Sequence, residues 1–399
     1  MAFIKNSNYP DIQYYNVDIV NGRTVSQGKI NDPRAYFNET RNTPIIQDAS
    51  RYEMSIVRFT MNGVNDIPIF IPVIEKGQSN PNKTVYKITM DLTVDTGDMD
   101  TNSNIIYNTF TATETVIFEP EQEGLITPLP PLNRQDVDNP YYFTHTYNHF
   151  LKLVNKTFEA VKENLQNQLN QTNYGFSLTT KAPIINYNNE TEKFEIFFDN
   201  NGFGKTSNPV NNQERYKLFF NSNMSNLFQN YPSKLKDDKN DVKFIEILVE
   251  PNLTTETIEF DNKTYYKIKQ ERSSTGTIWS PAESVVFSST SIPVVAEGVA
   301  PVIEFGNSNV STPTASTSNT EPIITDISLP LDNAYDYKGF TSYIPSGEYR
   351  MTSLNGHDDI RNINISVFWK NRLSSNLIPI KMGNLSNISI KFMFKKKHL

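Results

Sequence analysis

The residues that could do chemistry are few, and their spacing argues against most of it. His145 and His149 lie four apart, so on a helix both imidazoles share one face, as in a two-histidine metal site. A zinc peptidase of that pattern needs Glu directly after the first histidine, and Thr146 stands there. Only His357 and His398 remain as further imidazole ligands, so ordinary surface or partly packed histidines are expected. Gly204-Lys205-Thr206 has the ending of a phosphate-binding loop, but Asp199 occupies the place of its first glycine. Ser207-Asn208-Pro209 then opens no apolar helix whose N-terminus would cradle a phosphate. There is no Gly-x-Ser-x-Gly elbow. The acid pairs Asp237-Asp238 and Asp358-Asp359 lack EF-hand spacing and read as solvated turns. No cysteine is present, which excludes disulfides, thiolate catalysis, Cys-type zinc sites and iron–sulfur ligation. The expectation is a protein that is not an enzyme and takes no cofactor.

One charged cluster stands out. Lys395, Lys396 and Lys397 follow one another just before His398 and Leu399. The whole chain carries a formal charge of -7, unlike a protein that wraps nucleic acid. The lysines therefore read either as a solubilising end or as a local contact to packaged DNA phosphates.

The elements around these residues are mainly strands. Tyr86, Ile88, Met90, Leu92 and Val94 alternate with polar residues, as on a strand with one buried face. The same period appears at Ile363, Ile365, Val367 and Trp369, and at Ile388, Ile390, Phe392 and Phe394. Less regular strands are expected at 14–20, 52–59, 112–119, 194–198, 216–220, 242–249, 265–268, 284–288 and 323–329. The 25 Phe and 20 Tyr favour strands and supply a core. Asn62-Gly63, Asn201-Gly202 and Asn355-Gly356 are hairpin-type pairs. One helix is expected from Pro140 to Gln171, where Phe150, Leu151, Val154, Phe158, Val161, Leu165 and Leu169 recur at spacings mostly of three and four. Asn139 would cap it, with Pro140 at its first position. A short second helix is expected at Met224–Tyr231.

Ten or more strands that do not alternate with helices make an all-β chain, an antiparallel sandwich with one long helix. The tract 307–320 has almost no apolar residue and reads as a mobile loop. Residues 120–139 carry the run Pro128-Leu129-Pro130-Pro131, which reads as extended chain. No stretch is long and apolar enough for a membrane span, and the polar start at Lys5-Asn6 shows no secretory signal.

Three blocks carry a family resemblance. The first is Arg51-Tyr52-Glu53-Met54-Ser55-Ile56-Val57-Arg58-Phe59, followed by Ile67-Pro68-Ile69-Phe70-Ile71-Pro72. The second runs from Trp279-Ser280-Pro281-Ala282-Glu283 to Ser288-Ser289, with Ile292-Pro293-Val294-Val295 after it. The third is Ser346-Gly347-Glu348-Tyr349-Arg350 with Val367-Phe368-Trp369-Lys370. Together they resemble the minor capsid, or penton, proteins of Polintons, polinton-like viruses and virophages. The resemblance implies one jelly-roll domain over residues 1–399, with a less regular inserted region at about 120–240 that includes the helix at about 140–171. It also implies a homopentamer at each icosahedral vertex, seated among trimers of a double jelly-roll major capsid protein, in a virion assembled in the host cytoplasm. The competing readings are another jelly-roll capsid protein, such as the major capsid protein, and a carbohydrate-binding attachment protein.

Overall fold

The computed structural model describes residues 11–21, 34–63, 67–99, 101, 105–172, 177–205, 209, 213–236, 239–250, 256–260, 263–273, 277–299, 319–329, 340–344, 350–372, 374, 376–383 and 385–397. The tract 307–320 lies outside these apart from Asn319 and Thr320, which begin a short strand. Ser346–Tyr349, Asp237-Asp238 and His398 also lie outside.

The chain forms two compact units. One joins Met1–Ile69 to Ser280–Leu399, and the other is the contiguous stretch Phe70–Trp279. The first unit opens with β1 (Ile12–Val20), β2 (Tyr36–Thr40) and β3 (Tyr52–Asn62). The second holds β4 (Lys83–Met99), β5 (Ile105–Ile117), α1 (Tyr147–Asn170), β6 (Ile184–Asn188), β7 (Lys193–Asp199) and β8 (Glu214–Phe220). It continues with α2 (Ser222–Leu227), β9 (Ser233–Leu235), β10 (Ile245–Ile247), β11 (Glu256–Phe260) and β12 (Lys263–Lys269). The chain then returns to the first unit with β13 (Ala282–Ser288), β14 (Glu297–Val299), β15 (Asn319–Glu321) and β16 (Ile323–Ser328). It finishes there with β17 (Phe340–Tyr343), β18 (Thr352–Ser353), β19 (Asn362–Asn371), β20 (Leu377–Pro379) and β21 (Asn387–Lys396).

The first unit is a jelly roll. Its sheets run β1-β21-β3-β17 and β16-β13-β19-β2, with β18 added to β3 and β20 to β19. Numbering the eight principal strands along the chain gives the orders 1-8-3-6 and 5-4-7-2. This is the two-sheet arrangement in which most connections cross from one sheet to the other. Alternation sets the packing: Ile363, Ile365, Val367 and Trp369 of β19 are buried and their neighbours half-buried. In β21 a register shift between Lys391 and Phe392 buries Phe392, Met393 and Phe394 in succession. Phe59 of β3 meets Phe287 of β13 across the two sheets, with centroids 5.0 Å apart at 77°. Burial of each large apolar side chain in this layer contributes about 1.5–3 kcal/mol.

The second unit carries the sheets β5-β4-β8-β10-β9 and β11-β12-β7-β6. The apolar side of α1, from Phe150 to Leu169, is buried against β4, β5 and β6. Trp279 is fully buried among Phe70, Tyr147, Phe150, Phe194 and Phe228, at centroid distances of 4.6 to 5.9 Å. Its indole N–H donates to the Leu227 carbonyl at 3.2 Å, which satisfies the one polar atom of a buried ring.

Several boundaries differ from the sequence expectation. Asn139 caps only a single 3-10 turn, Pro140–Tyr142. Thr144 then exchanges backbone bonds with Phe70, at 3.0 and 3.2 Å, which holds the chain extended. The long helix therefore begins at Tyr147, where Thr146 accepts from the His149 N–H. The short helix is Ser222–Leu227, capped by Asn221. The inserted region was expected at about 120–240, and the contiguous second unit runs from Phe70 to Trp279. Alternation in β4 marks a half-buried strand but not the sheet it joins. The pairs Asn62-Gly63 and Asn355-Gly356 do not join paired strands, since β3 pairs with β21, β17 and β18, and β19 with β13, β2 and β20. Gly202 answers a different need. A Cβ there would lie 2.6 Å from both Thr180 Oγ1 and Tyr216 Cδ2.

Candidate functional site

The three lysines are not a loose tail. Lys395 and Lys396 close β21, between β1 on one side and β3 on the other. Lys395 Nζ lies 4.0 Å from Glu53 and Lys396 Nζ 3.5 Å from Asp11. Lys397 donates to two backbone carbonyls, Ser50 at 2.9 Å and Leu354 at 3.2 Å. Its own N–H donates to the Arg51 carbonyl at 2.8 Å. These contacts fasten the end of β21 to the entry of β3 and the exit of β18.

Only His149 lies in α1; His145 precedes the Thr146 cap in extended chain, so the two do not share a helix face, although both lie near Glu121. Glu121 Oε2 accepts the His145 backbone N–H at 2.9 Å, and Oε1 accepts the Thr146 hydroxyl at 2.9 Å. His145 Nδ1 is 3.3 Å from Oε2 but off hydrogen-bond alignment, so the amide and the hydroxyl are the firmer donors. Burial would raise the Glu121 carboxyl, but the adjacent His145 side chain, the His145 amide and the Thr146 hydroxyl together outweigh it and hold the group at about 2. His149 donates from Nε2 to the Glu119 carbonyl at 2.8 Å, and burial lowers its affinity for a second proton. His149 Nδ1 is buried without a hydrogen-bond partner, yet among the described residues no three His, Asp or Glu side chains are grouped to hold a metal ion.

The remaining sequence candidates are structural. Gly204 has φ +68° in the loop after β7, and Thr206 to Asn208 lie outside the described residues. Asp359 accepts from the Asp48 N–H at 3.3 Å and faces Arg361 at 3.4 Å, while the Asp358 carbonyl accepts from Ala49. His357 is exposed beside Asp48 and Ser50.

Sequence reasoning missed two polar constructions. Tyr15 of β1 donates to Glu39 of β2 at 2.6 Å, Arg41 donates to the same carboxylate at 2.7 Å, and the guanidinium sits 5.2 Å from the Tyr15 ring. This links the edge strands of the two jelly-roll sheets. Burial, with the Glu39 bond, pushes the Tyr15 phenol up to about 12. In the second unit, fully buried Asp199 accepts from Lys181 N, Asn201 N and Lys263 Nζ. Nearby Glu214 accepts from Thr179, Thr180 and Tyr216. No spacing rule in the sequence pairs such distant residues.

The geometry offers the flanks and edges of a two-sheet roll, and the comparisons with known proteins bear on the family to which such a fold belongs. Residues 13–396 match the family described as Sputnik minor capsid protein V18/19. Protein V18 of Sputnik virophage is 28% identical over 162 residues, covering 39% of this chain and 85% of that protein. A chain from the cryo-electron-microscopy structure of the Sputnik virophage superposes with a TM-score of 0.70 at 20% identity, covering 98% of this chain and 99% of that one. The crystal structure of the mavirus penton protein gives a TM-score of 0.58 at 13% identity, covering 97% of this chain and all 100% of the other. At those identities the structural likeness speaks for the fold, and the family match spans nearly the whole sequence. This chain belongs to the Sputnik minor capsid protein V18/19 family.

Proposed function

We propose that this minor capsid protein is the penton of a virophage-type shell, five copies closing a ring at each icosahedral vertex among trimers of a double jelly-roll major capsid protein. The observation that carries the reading is the 1-8-3-6 and 5-4-7-2 strand order within a family of minor capsid proteins. The mavirus protein that shares the fold is itself a penton. The work is assembly, not turnover. A ring repeats one heterologous interface, and closure adds the effective concentration of linked neighbours to each weak contact. Subunits with net negative charge stay dispersed until the shell recruits them, in the host cytoplasm in this reading. Native mass spectrometry of the purified chain over a concentration series is the test. Five-membered rings support the reading. Trimers point instead to a major capsid or fibre role, and a monomer that binds glycans on an array points to an attachment protein.

For Lys395, Lys396 and Lys397 the notion of a DNA-facing tail rests on charge alone. The two carbonyls that accept from Lys397 favour a structural part, a clamp on the end of β21. A salt titration of DNA affinity separates the two. Each phosphate-neutralising lysine steepens the slope of log K against log salt by about 0.7 to 0.9, and a clamp leaves it flat.

A further inference from the structure

Between β5 and the 3-10 turn at Pro140 runs a strap, residues 118–139, and it is fixed at both ends. The Phe118 N–H donates to the Asn82 carbonyl at 2.8 Å, and the Pro131 carbonyl accepts from Gly77 at 2.7 Å. The Gln135 side chain accepts from Ile74 N at 2.9 Å and donates to the Pro72 carbonyl at 3.0 Å. Held this firmly, the strap nevertheless presents Ile126, Leu129 and Leu132 at 90%, 90% and 81% exposure. They are the three most exposed large apolar side chains among the described residues. Their spacing is three, and Pro128, Pro130 and Pro131 lie between them. A proline-fixed extended chain turns once every three residues, so such side chains share one side.

Three such side chains offer roughly 400 Å² of apolar surface, about the limit that a monomer leaves uncovered. That is about half of the ~800 Å² that each partner gives to a standard interface. A strap that meets its own copy makes an isologous pair and stops at two. A ring needs a second, different surface. The strap issues from β5, one edge of the sheet β5-β4-β8-β10-β9, and the opposite edge is β9. All three β9 residues are exposed, Leu235 at 65%. Lys234 has no ion-pair partner among the described residues, and Lys217 and Lys236 share the single carboxylate of Glu246. The exposed strap carboxylates Glu123 and Asp136 carry the opposite sign.

We propose that the strap of one copy packs on the β9 edge of the next copy, head to tail. This inference rests on the ring reading above and names one of its contacts. The chain has no cysteine, so a cysteine pair gives a clean test in the full-length protein. The combination Leu129→Cys with Leu235→Cys, under mild oxidation, is expected to give a ladder of cross-linked species that ends at the closed ring. Each single variant is expected to stay uncrosslinked. Replacing Ile126, Leu129 and Leu132 with Ser is expected to weaken ring formation at least tenfold while the circular dichroism spectrum is unchanged. A cross-linked dimer from Leu129→Cys alone overturns the proposal in favour of strap-to-strap pairing. Wild-type rings with no ladder from the double variant overturn the contact but leave the ring. A monomeric wild type with no ladder overturns both.

Discussion

Substitution of Gly202 by Ala tests whether the buried network of the second unit is as tight as it looks. The added Cβ would stand 2.6 Å from Tyr216 Cδ2 and Thr180 Oγ1 and 2.9 Å from Thr180 Cγ2. Ordinary contact begins near 3.4 Å, so both neighbours must move by most of an ångström. Neither is free to do so. The Tyr216 ring stacks on Phe203 at 5.2 Å, and its hydroxyl donates to Glu214 at 2.9 Å. The Thr180 N–H donates to the same carboxylate. Overpacking of this kind costs about 1–3 kcal/mol. Breaking the bond from Tyr216 to a charged acceptor adds about 1.5–3 kcal/mol. The sum, about 2.5–6 kcal/mol, corresponds to a fall of about 1–3 M in the urea midpoint at a slope of ~2 kcal/mol/M. Trp279 reports the second unit when Trp369, the only other tryptophan, is replaced by Phe in both proteins compared. A Gly202→Ala variant whose Trp279 fluorescence transition coincides with that of its parent would refute the reasoning.

Other perturbations follow from the same contacts. The Glu121 carboxyl is held at about 2 against an ordinary 4.5, so its contribution is complete above pH 4.5 and lost as the pH falls toward 2. Glu121→Gln is expected to flatten the fall of the urea midpoint over that window, and an unchanged pH profile contradicts the assignment. Lys397→Met removes two bonds to carbonyls and is expected to cost about 1–3 kcal/mol, with faster amide hydrogen exchange in β21. Unaltered exchange there would dismiss the clamp. Tyr15→Phe leaves Glu39 paired with Arg41 alone and is expected to lower stability by about 1 kcal/mol in denaturant titration, with fold and secondary structure kept. A loss above about 3 kcal/mol would mean that the latch matters far more than one hydrogen bond.

Much of the fold was legible because period two is a local signal. The patterns at 86–94, 363–369 and 388–394 fall in β4, β19 and β21, and the Arg51–Phe59 and Ala282–Ser288 blocks become β3 and β13. What stayed hidden is non-local. Strands such as β2, β6 and β20 are short and irregular in pattern, and they exist because a longer neighbour supplies their hydrogen bonds. The extent of the inserted unit was hidden for a related reason: nothing in the alternation of β4 says that its partners are β5 and β8 rather than β3. The helix is legible from its apolar face, but its start is set by Thr144 bridging to Phe70, 74 positions earlier in the chain. The lysine run draws attention as charge, while the carbonyls of Ser50 and Leu354 hold its last member. Ile126, Leu129 and Leu132 stand in view within a proline-rich run, and only their exposure marks them as available.

The position of β21 between β1 and β3 bears on how the protein is made. β1 emerges from the ribosome long before the strand it must pair with, and the contiguous second unit is complete while that sheet still lacks its middle. Until β21 arrives, β1 and β3 present unpaired edges, the surfaces most prone to stray pairing. A chain that stops short of β21 therefore completes the contiguous second unit but leaves β1 without its partner strand and the roll open.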